Sequence, residues 1–346
     1  GKPRRLTNTA SSELDAKLSP RGTHASFVRD QNLVVLDLAT GKEAALTTAG
    51  GGLVSYGLAE FVAQEEMHRM TGQWWAPDDR RIAIARVDET PVKVAVRSAI
   101  GAEGTRVTEQ RYPFAGTPNA LVSLEIHALD GSAPVQVDLG SDPDIYLARV
   151  NWRRDSSEAL VQRQNRQQTV LDLLAADPAT GETRTLVTDT DDAWINLTHD
   201  LKPLEDGSFL WTSERSGFRH IYHHAADGEP IAQVTSGDWV VDEISGVDAE
   251  TGTVWFEGWT EDPTQRHLYS VPLSGGEPVQ ITSGEGWWSA TVNSGGTAFI
   301  GGYSDPATLP QTALYDMSGE RIRWLEENAL VEGHPYFPYV NDHITP

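Results

Sequence analysis

Apolar and polar residues alternate along most of this chain in short stretches, and turn-forming residues separate one stretch from the next. Residues 32–38, 169–176 and 267–273 are aliphatic or β-branched runs of this kind, and a turn that contains Gly follows each of them. A period of two is typical of half-buried β-strands, whose successive side chains point to opposite faces of a sheet. The sequence therefore predicts an all-β fold.

The strands fall into an imperfect repeat. Each unit opens on a tight turn, runs through strands and a second turn, and closes on a short aliphatic–Thr segment, as at residues 234–235 and 281–282. Six opening turns stand out, at residues 19–22, 76–79, 153–156, 205–207, 248–252 and 293–296. The last three begin about 45 residues apart, which is the length of a four-stranded propeller blade.

A four-stranded sheet cannot bury both of its faces alone, so such units are expected to stack face to face around an axis. The intervals after the first two turns are longer, and the second of them leaves room for another blade or for a large insertion. We predict one β-propeller domain over residues 1–346, incomplete at its N-terminus, with seven or eight four-stranded antiparallel blades in the intact protein. Stacked sandwiches are the alternative. Trp239 and Trp287, at matching places in consecutive units, suit a wedge between blades. Because Trp287 and Trp288 alternate faces, one of these two is expected to pack between blades and the other to reach a rim.

Residues 57–70 break the strand alternation and predict one short inserted helix. Leu58, Phe61 and Val62 follow the i, i+3, i+4 spacing of an apolar helix face. A helix in the middle of a strand repeat is an addition to the repeat. This segment is therefore the first place to look for chemistry that is specific to this protein.

Glu65 and Glu66 continue the apolar face of that helix when it is extended by four residues. Their carboxylates would then point inward and be partly desolvated, which is unfavourable without a cation nearby. A primary ammonium, with three hydrogen-bond donors and one full charge, suits such a pair. The alternative is that Glu65 and Glu66 pair with Arg69 or another arginine and have no further role.

The composition excludes several classes of function. The formal net charge is −23, from 27 Lys and Arg against 50 Asp and Glu, which repels nucleic-acid backbones and anionic membranes. The lack of Cys excludes disulfides, thiolate metal sites and a cysteine nucleophile. No apolar run is long enough to span a membrane. His220 and His224 share one strand face and His223 lies on the other, so a zinc site is not expected. We predict neither a metal nor a cofactor.

Several stretches resemble the dipeptidyl peptidase IV family of serine peptidases. Residues 61–69 (FVAQEEMHR) are similar to the family's double-glutamate helix, and residues 111–119 (RYPFAGTPN) look like its Tyr-Pro-x-Ala-Gly element. The likeness continues, in order, at residues 73–79, 82–92, 213–222 and 334–336. It covers nearly the whole chain, which makes it more specific than any single motif.

The resemblance implies an eight-bladed propeller above an α/β-hydrolase domain. In that family the glutamate pair binds the free N-terminus of a peptide, so that cleavage follows the second residue, usually Pro or Ala; by resemblance, Glu65 and Glu66 take this role. The implied partners are peptides with a free N-terminus, the protein's own C-terminal hydrolase domain and, in a homodimer, a second copy. The alternative is a non-catalytic propeller that binds other proteins.

The sequence also departs from the family. It has no Gly-x-Ser-x-Gly nucleophile elbow, so residues 1–346 are expected to lack the Ser/Asp/His triad and to be inactive alone. The family's carbonyl-binding arginine is expected upstream of Gly1, and Arg69 is a candidate for a replacement positive charge near the glutamates. Thr198 and His199 stand where mammalian-type members carry a Phe-Arg pair. The family further implies an exported protein, periplasmic or cell-associated, in a bacterium.

Overall fold

Antiparallel hairpins form almost all of the regular structure in the computed structural model, which describes residues 4–330 and residue 333. The chain divides into two compact units, residues 1–197 and residues 198–346. Within the described residues the only helix is α1 (Phe61–Glu65). The prediction of an all-β fold with one short inserted helix is confirmed, although the helix is shorter than the segment 57–70. No helix among these residues is both long and apolar enough to cross a membrane.

The first unit holds three antiparallel sheets and one separate hairpin. Sheet 1 contains, in spatial order, β1 (Leu14–Leu18), β2 (His24–Arg29), β3 (Asn32–Asp37) and β4 (Glu43–Ala45). Sheet 2 contains β5 (Val54–Tyr56), β6 (Gln73–Trp75), β7 (Arg81–Asp88), β10 (Leu121–Ala128) and β11 (Val135–Gln136), and the separate hairpin contains β8 (Val94–Gly101) and β9 (Gly104–Arg111). Sheet 3 contains β12 (Ile145–Trp152), β13 (Ala159–Asn165), β14 (Val170–Ala176) and β15 (Thr183–Thr190).

The second unit holds three four-stranded antiparallel sheets, each in sequence order. Sheet 4 contains β16 (Lys202–Pro203), β17 (Phe209–Ser213), β18 (His220–His224) and β19 (Pro230–Gln233). Sheet 5 contains β20 (Val240–Asp248), β21 (Thr253–Trp259), β22 (His267–Pro272) and β23 (Val279–Gln280). Sheet 6 contains β24 (Trp287–Val292), β25 (Ala298–Asp305), β26 (Thr308–Asp316) and β27 (Arg321–Glu326).

All six predicted opening turns are confirmed, because each joins two paired strands at the start of a sheet. The long interval after the second turn contains the β8–β9 hairpin and not another sheet. Six sheets lie within the described part of the chain, so the count of seven or eight blades in the intact protein stays a prediction. That residues 1–346 form a single domain also stays a prediction, because the division into two compact units does not test it.

The closing aliphatic–Thr segments have a shared role in sheets 1, 4 and 5. The hydroxyl oxygens of Thr47, Thr235 and Thr282 accept hydrogen bonds from the backbone N–H groups of Leu33, Ile221 and Leu268, at 2.9, 2.9 and 3.0 Å. Each of these N–H groups lies in the third strand of its sheet. A buried N–H group must find a partner. The repeated threonine therefore completes the ladder just beyond the end of the fourth strand.

Neighbouring sheets within each unit share apolar cores. Sheets 1 and 2 pack through Val28, Leu33, Val35, Ile82 and Ile84, and sheets 2 and 3 through Leu124, Ile126, Leu147, Val150 and Val161. In the second unit, sheets 4 and 5 pack through Leu210, Ile221, Val254 and Phe256, and sheets 5 and 6 through Trp255, Leu268, Trp288 and Phe299. Each sheet thereby covers an apolar face of its neighbour.

The two predicted wedge tryptophans differ. Trp239 packs on the core of sheets 4 and 5 and stacks on Phe256, with ring centroids 5.6 Å apart. Trp287 is 44% exposed, and Trp288 is buried in the core of sheets 5 and 6 instead. Trp287 and Trp288 therefore alternate faces as predicted, and the one that packs between sheets is Trp288 rather than Trp287. The cause is the additional Gly286, which moves the second segment by one residue and so exchanges the strand faces.

The β8–β9 hairpin belongs to no larger sheet among the described residues and is exposed along both strands. It carries apolar side chains in water: Ile100 is 87% exposed, and Val96 and Val107 are also exposed. Its base is closed by a hydrogen bond of 2.9 Å from the N–H of Tyr112 to the carbonyl of Lys93. The hairpin thus leaves several apolar side chains uncovered within the described part of the chain.

Candidate functional site

The glutamate-bearing segment is an insertion into one edge strand of sheet 2. Strands β5 and β6 both pair with β7, one after the other along its length. Residues 58–71 leave this edge and return to it opposite Ala85. The N–H of Gly57 donates to the Ala85 carbonyl at 2.9 Å, and the N–H of Ala85 donates to the Gly72 carbonyl at 2.8 Å. We call residues 58–71 the acidic loop.

Two glycines form the neck of the acidic loop. The N–H of Gly72 donates to the carbonyl of Gly57 at 3.1 Å, and Leu58 and Thr71 form an isolated antiparallel bridge. Gly57 has a φ of 81°, in the left-handed region that favours glycine. A Cβ atom on Gly72 would lie 2.4 Å from the Leu58 carbonyl oxygen. The close approach of the two backbones therefore requires glycine at position 72.

Helix α1 ends sooner than the apolar spacing suggested. The N–H groups of Gln64 and Glu66 donate to the carbonyls of Glu60 and Val62, which makes little more than one turn. His68 then adopts a φ of 51°, and the N–H of Arg69 returns to the Ala63 carbonyl at 2.9 Å. The chain thus reverses just after the helix. Its inward side chains include those of Ala63 and Met67, both buried.

Glu65 and Glu66 lie at the exposed end of the acidic loop. Both side chains are exposed, so the prediction that they are partly desolvated is wrong. There are two physical reasons: Phe61 and Val62, one turn before the glutamates, are themselves only half-buried, and the inward positions belong to Ala63 and, after the helix ends, to Met67. The alternative, in which an arginine neutralises the pair, is not seen either. Within residues 4–330 and 333, neither carboxylate makes an ion pair or a hydrogen bond.

Arg69 does not lie beside the two exposed carboxylates. Its guanidinium is buried, and Nη2 donates to Oε2 of Glu60 at 2.6 Å. Nη1 donates to the Thr71 carbonyl at 2.7 Å, and the guanidinium carbon lies 5.7 Å from the Trp74 ring centroid. The structure thus gives Arg69 another partner and no exposed surface with which to hold a substrate.

A second buried arginine lies close to Arg69. Arg149 on β12 is buried, and its Nη1 donates to the Ala148 carbonyl at 2.8 Å. Burial, together with the nearby positive charge of Arg69, lowers the pKa of Arg149 to about 10. Strand β12 contacts helix α1. Two cationic side chains therefore lie within the body of the protein close to the acidic loop, while the acids themselves face water.

The structure brings together two stretches that carry the family resemblance. Phe61 of the acidic loop meets Tyr112 edge to face, with ring centroids 5.0 Å apart, and Tyr112 in turn contacts Phe114 at 4.8 Å. The guanidinium of Arg97 on β8 lies 5.0 Å from the Tyr112 ring centroid. The Tyr-Pro-x-Ala-Gly element thus connects the base of the hairpin to helix α1.

Sequence reasoning missed Glu60 and Arg149. Glu60 is separated from Arg69 by nine positions, which matches neither a helix nor a strand period. Arg149 did carry a signal, because it is the one charged residue in the otherwise apolar run of residues 145–150. A lone charge in a buried strand needs a partner or a function.

Other candidates from the sequence have structural roles or lie elsewhere. His220, His223 and His224 are buried and hydrogen-bond to Thr235, Ser208 and the Gly228 carbonyl, respectively. No cluster of acidic and histidine side chains that could hold a metal ion occurs in the described part of the chain. The stretch 334–336 lies outside the described residues.

The sequence matches the family model for the dipeptidyl peptidase IV N-terminal region over residues 1–310. It is 28% identical to a probable dipeptidyl-aminopeptidase B of Emericella nidulans, across 90% of this chain and 38% of that protein. It is 27% identical to a dipeptidyl-aminopeptidase B of Aspergillus niger, again across 90% of this chain and 38% of that protein. The chain therefore spans about two fifths of the length of these curated relatives.

Solved structures have the same fold. A dipeptidyl peptidase 4 from Porphyromonas gingivalis superposes with a TM-score of 0.87 and 26% identity, over 93% of this chain and 46% of that one. A putative dipeptidyl aminopeptidase IV from Bacteroides ovatus gives a TM-score of 0.80 at 22% identity, over 94% of this chain and 48% of that one, a likeness in fold alone. These relatives come from fungi and bacteria, so they do not bear out a bacterial source.

Proposed function

Because the chain belongs to the dipeptidyl peptidase IV family, we propose that it is the substrate-binding and gating β-propeller of a serine exopeptidase. The enzyme would release X-Pro or X-Ala dipeptides from peptides with a free N-terminus. The observation that carries this proposal is the state of Glu65 and Glu66. Their two adjacent carboxylates are exposed and have no counter-charge among the described residues.

The chemistry of an ammonium group fits this pair. An α-ammonium has three N–H donors and one positive charge, and two carboxylates accept charge-assisted hydrogen bonds at short distance. Fixing the first amine of a peptide at one point also fixes the distance to each following bond. The reaction can then be limited to the second peptide bond without recognition of a longer sequence.

The bond-breaking groups are proposed to lie outside residues 1–346. This sequence has no Gly-x-Ser-x-Gly elbow, so a C-terminal α/β-hydrolase domain would supply the Ser/Asp/His triad and this chain would be inactive alone. The chain's own contribution is then to bind the amine and orient the peptide. No metal or cofactor is needed for this task.

The test uses the full-length protein that carries this chain, with a dipeptide anilide as substrate. Glu65→Gln and Glu66→Gln each remove one charge at constant shape, and loss of a charge-assisted contact costs about 2–4 kcal/mol. We expect kcat/KM to fall roughly 30- to 1000-fold, mostly through KM. Glu182→Gln, at another exposed position of the first unit, is the matched control.

The rival function is a propeller that binds other proteins without catalysis. An N-acetylated dipeptide anilide distinguishes the exopeptidase from the non-catalytic propeller, because acetylation removes the ammonium group. Cleavage of the free amine substrate and loss of cleavage after acetylation support the exopeptidase. Absence of any dipeptide release from the full-length protein, or unchanged kinetics in both glutamate variants, would overturn the proposal.

We further propose that the β8–β9 hairpin takes part in a homodimer. Its support is the row of exposed apolar side chains at Val96, Ile100 and Val107. An exported location, periplasmic or cell-associated in a bacterium, is a proposal that rests on family likeness alone. Fractionation of the source cells followed by activity measurement would test it.

A further inference from the structure

We infer that the buried ion pair between Glu60 and Arg69 positions Glu65 and Glu66; this inference rests on the proposed function. Glu60 directly precedes helix α1, and Arg69 lies three residues beyond Glu66. The pair therefore joins the two limbs of the acidic loop on either side of the exposed carboxylates. Its Nη2–Oε2 distance is 2.6 Å.

The placement of Glu60 shows that its carboxylate serves Arg69 and not the helix. Glu60 is the N-cap residue of α1, a position where a side-chain oxygen often accepts from the first helical N–H groups. Its side chain makes no such cap. The carboxylate instead turns inward, with 5% of the side chain exposed, to meet a guanidinium with 2% exposed.

Arg69 fixes geometry through two separate contacts. One arm of the guanidinium holds the Glu60 carboxylate, and the other holds the Thr71 carbonyl at the neck of the loop. A planar guanidinium sets both directions at once. Burying an ion pair is seldom the most stable way to fill a core, since apolar side chains often do so at least as well. Directional control of a small loop accounts for the pair better than stability does.

The pair also keeps positive charge away from the two acids. While Glu60 neutralises Arg69, the charge of Glu65 and Glu66 stays available for a ligand. Without the Glu60 carboxylate, the positive charge of Arg69 would be uncompensated on the same short loop as the two acids. Glu60 is therefore a positioning residue in two senses, geometric and electrostatic.

The test measures KM and kcat separately in the full-length protein with a dipeptide anilide. Glu60→Gln and Arg69→Met are each expected to raise KM about tenfold or more while kcat changes less than threefold, because misplacement of a binding group by about 1 Å can cost up to about a hundredfold. Arg69→Lys keeps the charge and one contact but not the planar fork, so it should recover part of the loss. Such recovery would not be expected of a residue whose role is only to fill space.

The control is Arg163→Met. Arg163 lies on sheet 3 and makes the same two kinds of contact as Arg69. It donates to the Asp172 carboxylate at 2.7 Å and to the Leu139 backbone carbonyl at 2.7 Å. This variant should leave KM unchanged. If thermal unfolding shows that Arg69→Met does not fold, two other variants provide the same test. They are Arg69→Lys and the Glu60→Gln/Arg69→Met double variant, which buries no charge.

The outcomes are distinguishable. If Glu65→Gln raises KM while Glu60→Gln and the Arg69 variants keep the wild-type KM, the positioning role is refuted and the proposed function stands. If Glu65→Gln and Glu66→Gln also leave KM unchanged, the proposed function itself has failed. An equal rise in KM for the Arg163→Met control would refute a specific role for the Glu60–Arg69 pair.

Discussion

Phe61 and Tyr112 meet edge to face, with their ring centroids 5.0 Å apart. Phe61 is the first residue of helix α1, and Tyr112 directly follows the last strand of the exposed hairpin. The contact therefore connects the loop that presents Glu65 and Glu66 with the ribbon proposed to meet a second copy of the chain. A displacement of the hairpin would therefore act directly on helix α1, and a displacement of α1 would act on the hairpin.

Removal of the Tyr112 ring should weaken substrate binding. Tyr112→Ala deletes the contact with Phe61, and an aromatic pair contributes about 0.5–1.5 kcal/mol beyond its area. We expect KM for a dipeptide anilide to rise roughly 3- to 10-fold in the full-length protein. Tyr112→Phe keeps the ring and should match wild type. A wild-type KM for Tyr112→Ala would show that the ring contact does not support the loop.

Gly72→Ala should destabilise the neck of the acidic loop. The added Cβ would approach the Leu58 carbonyl oxygen to 2.4 Å, and backbone atoms there cannot move without disturbing the pairing with β7. Overpacking of this kind costs about 1–3 kcal/mol. The measurement is the thermal unfolding midpoint. Gly295→Ala is the control, because a Cβ atom there meets nothing within 4 Å. Equal midpoints for the two variants would contradict the steric argument.

Asp79 should make stability depend on pH. Burial alone raises the pKa of Asp79, but hydrogen bonds from Ser19 Oγ, Thr23 Oγ1 and the Arg21 N–H outweigh it and leave the pKa below its usual value. A lowered pKa contributes stability that is present above the unfolded-state value of about 3.9 and is lost as pH falls through the folded-state value.

Asp79→Asn should therefore lower the free energy of unfolding by about 1–3 kcal/mol at pH 7. The difference from wild type should begin to shrink below about pH 4, where the carboxylate of unfolded wild-type protein takes up a proton before that of the folded protein does. Thermal midpoints of both proteins at pH 7 and near pH 3 give the comparison. A difference that is the same at the two pH values would show that the Asp79 charge has no part in it.

Charges on the β8–β9 hairpin should disrupt self-association. Ile100→Lys and Val96→Lys each place an ammonium group in the proposed dimer contact, which is apolar in the wild type. Thr108→Lys adds the same charge at an exposed polar position on the opposite face of the hairpin, paired with Arg97, and serves as the control. Sedimentation of the full-length protein over a range of concentrations should show weaker dimers for the first two variants. A monomeric wild type, or dimers that tolerate Ile100→Lys, would remove the hairpin from the interface.

The strand pattern and the turns could be predicted from the sequence because both are local. Strand alternation and turn residues act over two to five positions, so all six opening turns were found. The role of Thr235 and Thr282 follows from the same repeat. The position of Trp287 could not be obtained in this way, since Gly286 shifts the face by one residue.

The environment of the side chains in the acidic loop could not be predicted from local sequence patterns, for a different reason. The exposure of Glu66 depends on where α1 ends, and that end is set by the left-handed turn at His68 and the return of the Arg69 N–H to Ala63. The Glu60–Arg69 pair joins positions that no regular period connects. Apolar spacing identified the helix but not its length, and therefore predicted a partly buried environment for two carboxylates that are exposed.

The glycine neck has a consequence for how this protein can change. Both limbs of the acidic loop leave the sheet at one crossing, opposite Ala85, so the pairing of β5 and β6 with β7 is independent of how many residues lie between Leu58 and Thr71. The loop is thus a self-contained insertion into the sheet. Lengthening it, or replacing it with the corresponding segment of a relative, would change the proposed amine-binding surface while the pairing of β5 and β6 with β7 is kept.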